Sequence, residues 1–355
     1  MKVAILGGGI CGLACALELE RNGVVPVIFE SNPAPEWIWP SIMFWPNVLY
    51  NVYDDTRKYL LEKYKIDFYA LGKVNSVTMK SQKKKIKIEG NLGYVIQRGN
   101  GEKSLENQLY RQLIQTAIYF NSKEDYKNLS KKYDYVVVTT GKDAEAREMG
   151  VWEDESIVYV IGAKINGSFT PGTSEIYFNT DYAGTGYARV TPFNSSSAVV
   201  GLYIIGKNEL DSFQYFRDFI RRENLDNNEC VLTVLPPPFT TGKVNKFRVG
   251  NVLLAGRAAG LTERILGCGG FEALESGTLA ARAIVNGDDY DKLVKPIKDH
   301  VENISSYRKI IDKFTNDDFD KLISVLGTPG IKQIIYNTGI DFTEIVGKVL
   351  KILQK

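Results

Sequence analysis

Three glycines at one turn constrain this chain more than any other feature. Val3, Ala4, Ile5 and Leu6 have the apolar texture of a buried strand. Gly7, Gly9 and Gly12 follow at G-x-G-x-x-G spacing, and a helical stretch comes next. The first glycine permits a tight turn, the second lets backbone approach a pyrophosphate, and the third lets the helix pack closely on the strand. The free N–H groups and positive dipole end of that helix then point at the phosphate. Residues 25–29 read as the next strand, and Glu30 follows with 17 residues between it and Gly12. An acid so placed can hold a ribose 2′-hydroxyl. Strand, turn, helix, strand and acid together predict a Rossmann-type unit with a bound dinucleotide. A carboxylate repels a 2′-phosphate, so FAD or NAD fits and NADP does not.

At 355 residues the chain is long enough for two domains, or for one α/β domain with a large insertion. Hydrophobic and charged fractions of 44% and 24% are those of an ordinary globular protein, and a net charge of +2 gives no electrostatic argument for nucleic acid. The four cysteines form neither a disulfide framework nor a C-x-x-C pair; Cys11 and Cys15 read as small packing residues on the first helix. With His300 the single histidine, no histidine metal site or triad is expected. The N-terminus runs straight into a strand, so no signal peptide is expected. No apolar run approaches the roughly 20 residues of a membrane span. A cytoplasmic protein is the expectation.

Residues 31–53 carry Trp37, Trp39, Phe44, Trp45, Tyr50 and Tyr53, broken by prolines 33, 35, 40 and 46. They read as core filling under a loop, as an apolar wall beside the cofactor, or as a surface touching lipid. Two strands are expected at 73–79 and 84–89, a separate short one at 94–98, a helix over 104–118, and a buried strand over 133–140. From residue 157 several antiparallel strands are expected (158–164, 175–179, 187–192, 198–205), with a helix over 212–222. Prolines 236, 237 and 238 close that block. A core strand at 252–256, a glycine turn at 267–270 and a helix from Phe271 to about Asn286 come next. The remainder reads as helical, with a break near 327–330.

This order resembles one class of flavoproteins, the para-hydroxybenzoate-hydroxylase-type fold, and within it the geranylgeranyl reductase family. Tyr94, Val95, Ile96, Gln97 and Arg98, followed by Leu105 and Leu109, resemble the family's strand-arginine-helix element. Residues 252–260 resemble its second FAD motif, and 267–270 its glycine turn beneath the flavin. Tyr187, Arg189, Thr191 and Pro192, then eight residues, then Gly201, Leu202 and Tyr203 resemble its substrate motif Y-x-W-x-F-P with G-x-G. The family's tryptophan is Arg189 here, its phenylalanine Thr191, and its final glycine Tyr203, so the substrate side is more polar or differently shaped.

The fold class that the resemblance implies is α/β: a Rossmann-type FAD-binding domain (1–36, 93–156 and 236–290), an inserted antiparallel β-sheet substrate domain (37–92 and 157–235), and a C-terminal helical segment (291–355). It implies FAD held by Gly7, Gly9, Gly12, Glu30, Arg98, Thr140, Gly141, Arg257, Gly260, Gly267, Gly269 and Gly270. Arg257 stands where the family has an acid. A cation cannot accept a ribityl hydrogen bond but can contact the pyrophosphate. The substrate side is expected at Trp39, Trp45, Tyr187, Arg189, Pro192 and Tyr203, with Arg189 able to hold a phosphate or carboxylate head group.

The activity implied is reduction of a prenyl C=C bond, by hydride from reduced flavin and a proton from Tyr187, Cys268 or water. No histidine or evident acid pair is available for that proton. A hydrophobic or lipid substrate is implied, with peripheral membrane contact as one option. No second G-x-G-x-x-G appears, so electrons come from transient NAD(P)H or from a carrier such as ferredoxin. Two other readings stay open: a flavin-dependent aromatic hydroxylase, and a non-catalytic prenyl-binding protein of related fold.

Glu30→Ala and Gly9→Val are each expected to lower FAD retention, read from the flavin absorbance of purified protein; each 1.4 kcal/mol of lost contact is about tenfold in affinity. Unchanged flavin content in Gly9→Val contradicts the assignment.

Overall fold

A computed structural model of the chain describes residues 1–35, 42–50, 55–99, 101–330 and Gly347. Fifteen strands are present among them. The first eight are β1 (Val3–Leu6), β2 (Val27–Phe29), β3 (Ile42–Pro46), β4 (Gly72–Lys80), β5 (Lys85–Gln97), β6 (Ala117–Tyr119), β7 (Tyr135–Val138) and β8 (Trp152–Asn166). The others are β9 (Thr173–Tyr177), β10 (Tyr187–Pro192), β11 (Ser197–Ile204), β12 (Glu229–Val234), β13 (Phe239–Val244), β14 (Arg248–Val249) and β15 (Val252–Leu254).

They form two sheets. The first has the order β14-β15-β7-β1-β2-β6 and is parallel except for β14 on β15. Its central strands are buried on both sides, as Val3, Ala4, Ile5, Val136, Val137 and Val138 all are, which is why they read as unbroken apolar runs. The second has the order β12-β8-β11-β10-β9-β4-β5-β3, with β13 also on β8; only β4 with β9 is parallel.

Two helices far apart in the chain pack against each other. The opening helix, Ile10–Arg21, packs against the late helix, Gly270–Asn286. Cys11 and Cys15 are buried there as small packing residues. The approach is too close for a side chain at position 277: a Cβ on Gly277 meets the Cys11 carbonyl oxygen at 2.2 Å. Gly12 is equally confined, since a Cβ there meets the Gly7 oxygen at 2.1 Å.

Several elements differ from the sequence reading. The helix expected over 104–118 is only Leu105–Tyr110, and residues 117–119 are β6. Ile118 registers beside Ile28, so the edge of the parallel sheet claims this apolar run in preference to local helix propensity. The strands expected at 84–89 and 94–98 are one continuous β5. Gly93 sustains it at φ +141, where a Cβ would meet the Trp45 oxygen of the adjoining β3 at 2.0 Å. β8 begins at Trp152, earlier than read, and β12 and β13 went unread on either side of the prolines. The chain therefore rejoins β8 after those prolines and reaches the first sheet only at β14. The tail is helical at Tyr290–Ser305, Arg308–Ile311 and Asn316–Leu326.

The helix contact yields a stability test. Gly277→Ala should cost about 1–3 kcal/mol through overpacking, measured by chemical denaturation. Gly9→Ala, where a Cβ meets nothing within 4 Å, should cost well under half of that.

Candidate functional site

β1 ends in the glycine turn, and Gly7 there adopts φ +110. Its carbonyl accepts from Thr139 Oγ1 at 2.8 Å, which ties the turn to the end of β7. The opening helix starts from Gly9 with no side-chain cap, so its first N–H groups have no side-chain acceptor. The space beside Gly9 is open. Glu30 is buried at the end of β2, where Oε2 accepts from the Gly8 N–H at 2.6 Å and Oε1 from the Asn32 N–H at 2.7 Å. Its carboxylate is thus pinned against the turn. Beyond β7, Thr140 Oγ1 donates to Glu145 at 3.0 Å, and Gly141, at φ +67, borders open space.

The late glycine turn lies beside the first. A Cβ on Gly270 meets Met43 Sδ at 2.7 Å and Ile10 Cδ1 at 3.9 Å, so the starts of the two helices adjoin. The late helix also lacks a side-chain cap at Gly269. Arg98 reaches the same place. It makes an ion pair with Glu106 at 2.6 Å, and its Nη1 lies 3.8 Å from Met43 Sδ. Glu106 Oε2 is buried without a hydrogen-bond partner among the described residues. Gly260, at φ +69, packs against the backbone of β13, where a Cβ would meet the Gly242 oxygen at 2.5 Å. Arg257 stacks its guanidinium 4.1 Å from the centre of the Phe239 ring, and burial lowers its pKa to about 10.

Residues 263–268 form a loop cinched by one buried carboxylate. Glu263 accepts from the N–H groups of Ile265 (2.7 Å), Leu266 (3.0 Å) and Cys268 (2.7 Å). Burial raises the Cys268 thiol well above its ordinary range, and the neighbouring carboxylates add to this, so it stays protonated. Tyr187 O–H donates to the Leu266 carbonyl at 2.6 Å and stacks on Tyr203, 4.6 Å between ring centres. Arg189, two residues along β10, donates to the Ile42 carbonyl of β3 at 3.1 Å. Pro192 ends β10 opposite Ala198. Tyr187, Arg189 and Tyr203 therefore gather beside the Cys268 loop.

Trp45 does not join them. It is 3% exposed, packed against Phe68 and edge-on to Phe271, while Ile42 and Phe44 share the apolar cluster of Tyr187 and Val199. Alternation along β3 is the cause: residues 42 and 44 face the Tyr187 cluster, and 43 and 45 face away from it. Trp39 lies outside the described residues.

The sequence reading found no acid pair, and the fold supplies buried acids. Glu272 is 1% exposed, with Tyr50 O–H donating to it at 2.8 Å; Glu275 sits one turn on. Burial pushes Glu272 up to about 8 and Glu275 up to about 7. The Tyr50 ring stacks on Phe271 and on His300, which brings the lone histidine beside this group. Glu272 follows the glycine turn directly, but its burial depends on Tyr50, distant in sequence, and nothing local signals it. Among the described residues no cluster of side chains could hold a metal ion, and no helix is long and apolar enough to cross a membrane.

These features fit the FAD that the fold implies. Two uncapped helix starts adjoin, Glu30 is anchored where a ribose would lie, open space flanks Gly9, and a buried Glu106 oxygen lacks a donor.

The buried acids set a pH dependence. A carboxyl neutral in the fold up to about pH 8 but ionising near 4.3 when unfolded binds more protons folded than unfolded between those limits. Stability is therefore full below pH 4 or so and falls as pH rises toward 8, on the order of 3–5 kcal/mol for Glu272. Denaturation of Glu272→Gln from pH 5 to 8 should show a markedly shallower decline than the parent; equal slopes contradict the assignment.

No family profile matches the chain. It is 29% identical over 174 residues to digeranylgeranylglycerophospholipid reductase 1 of Methanosphaera stadtmanae, an alignment covering 45% of this chain and 43% of that protein. Reductase 3 of the same organism is 23% identical over 373 aligned positions, covering 94% of this chain and 92% of the relative. The chain thus spans under half of the first and nearly all of the second. Among solved structures, a geranylgeranyl bacteriochlorophyll reductase-like protein from Thermoplasma acidophilum superposes with a TM-score of 0.74 at 18% identity, over 99% of this chain and 98% of that one. The chain is thus similar in sequence to these two reductases and similar in fold to the Thermoplasma acidophilum protein.

Proposed function

We propose that the chain is an FAD-dependent reductase of C=C bonds in an isoprenoid substrate. The observation that carries this reading is the meeting of the two glycine turns, with Gly270 against Ile10. It gives one cofactor a phosphate cradle at residues 7–12 and a ring seat at residues 267–270. Glu30 would hold the adenosine ribose, the two helix starts the pyrophosphate and the flavin's electron-rich edge, and Arg98 with Glu106 the intervening chain. Bound and reduced, FAD supplies a hydride.

The protein's own task is to hold the alkene against the ring and to protonate the second carbon. The apolar cluster of Ile42, Phe44, Tyr187 and Val199, with Tyr203 and Leu266 against it, supplies the surface for a hydrocarbon chain. Tyr187 O–H and Cys268 S–H are the candidate proton donors, both kept protonated by burial. The names of the relatives support a prenyl-lipid substrate. Its entry from a membrane surface, the discontinuous FAD and substrate domains, and supply of electrons by NAD(P)H or a ferredoxin-type carrier belong to the same proposal.

The test is anaerobic single turnover. FAD-loaded protein, reduced with dithionite and mixed with a prenylated lipid, should gain flavin absorbance as the product gains two hydrogens. Tyr187→Phe or Cys268→Ala should slow that step about 10²–10⁴-fold, whichever is the donor. Oxygen consumption coupled to a hydroxylated product would instead favour the hydroxylase reading.

A further inference from the structure

Arg189 stands apart from the other arginines that the fold encloses. Arg98, Arg264, Arg282 and Arg308 each face a carboxylate, and Arg57 and Arg257 lie over aromatic rings. Arg189 has neither. Among the described residues it makes one hydrogen bond, to the Ile42 carbonyl, and no carboxylate lies within 4.0 Å of it. A guanidinium carries five N–H donors in a rigid fork, and most of these are left over.

Its strand neighbours carry no charge. Arg189 is opposite Gly201 on β11 and Ile176 on β9. The Tyr203 ring covers Gly201, where a Cβ would come within 3.0 Å of it. Residues 187 and 189 share one face of β10, and Tyr187 on that face is bonded to the 263–268 loop. The cation is half-buried on the same side as the loop that carries Cys268, at the position where the related motif has a tryptophan. A half-enclosed cation among uncharged neighbours is costly unless an anion joins it.

We infer that Arg189 is the specificity-determining residue of the substrate side, pairing with a carboxylate or phosphate that the substrate carries near its reducible double bond. The inference rests on the reductase reading and narrows it. A lipid whose only charge lies at the far end of a long chain does not satisfy Arg189, whereas a short anionic isoprenoid does. The planar fork matches either oxyanion bidentately.

Binding to flavin-loaded protein tests this without turnover. Geranyl monophosphate and geranate are the anionic probes and geraniol the neutral one, each measured by titration calorimetry with the parent, Arg189→Gln and Arg189→Lys. In the parent at least one anion should bind about tenfold or more tighter than geraniol, and the better of the two identifies phosphate or carboxylate. Arg189→Gln should abolish that preference with geraniol affinity unchanged, and Arg189→Lys should restore part of it. Equal binding of all three probes to the parent, no binding of any, or a preference surviving in Arg189→Gln would overturn the inference. So would loss of bound flavin in Arg189→Gln, because the cation would then serve the cofactor. Phenyl phosphate and benzoate separate the two levels. If they bind as tightly as their geranyl counterparts, with the same dependence on Arg189, the anion subsite stands and the isoprenoid reading falls.

Discussion

The contact between Cys11 and Gly277 governs the architecture. It lets two helices, about 250 residues apart in the chain, approach until backbone meets backbone. Everything at the site follows from that closeness. The helix starts adjoin, so two separate glycine turns become one surface. Gly256, whose Cβ would come 3.1 Å from Cys11 Sγ, holds the end of β15 in the same register, and its N–H donates to Ser276 on the late helix. A larger side chain at any of these places would part the helices and, with them, the two glycine turns. Small residues along both helices are the means of bringing sequence-distant pieces into one site.

Much of this was legible in the sequence because the signals are local. A turn demanding positive φ, a helix start that must stay uncapped and a carboxylate at a strand end each leave a mark within a few residues. The turn at residues 267–270 was readable for the same reason. What escaped was settled by distant partners. Residues 117–119 look helical until Ile28 is beside them. β12 and β13 flank three prolines, and only β8 makes strands of them. Trp45 looked like a pocket wall because an aromatic run does not reveal which face of a strand each ring takes.

The acids make the same point in energetic terms. Glu263, Glu272 and Glu275 carry no local sequence signal that marks them out, yet all three are buried, in the late loop and the helix that follows it. Glu263 is held there by accepting from three backbone N–H groups, and Glu272 by accepting from the Tyr50 O–H. Burial of this kind near a redox site retains protons that open water would take. Arg189, by contrast, makes one hydrogen bond among the described residues, to the Ile42 carbonyl.

The central claim is that one FAD spans both turns. A crystal structure of the protein purified with its own flavin tests it most directly. The account predicts adenosine at Glu30, the pyrophosphate over Gly9, and the flavin ring beneath residues 267–270 with Tyr187 on its substrate side. A ring seated elsewhere, or a protein that takes up no flavin at all, would contradict it.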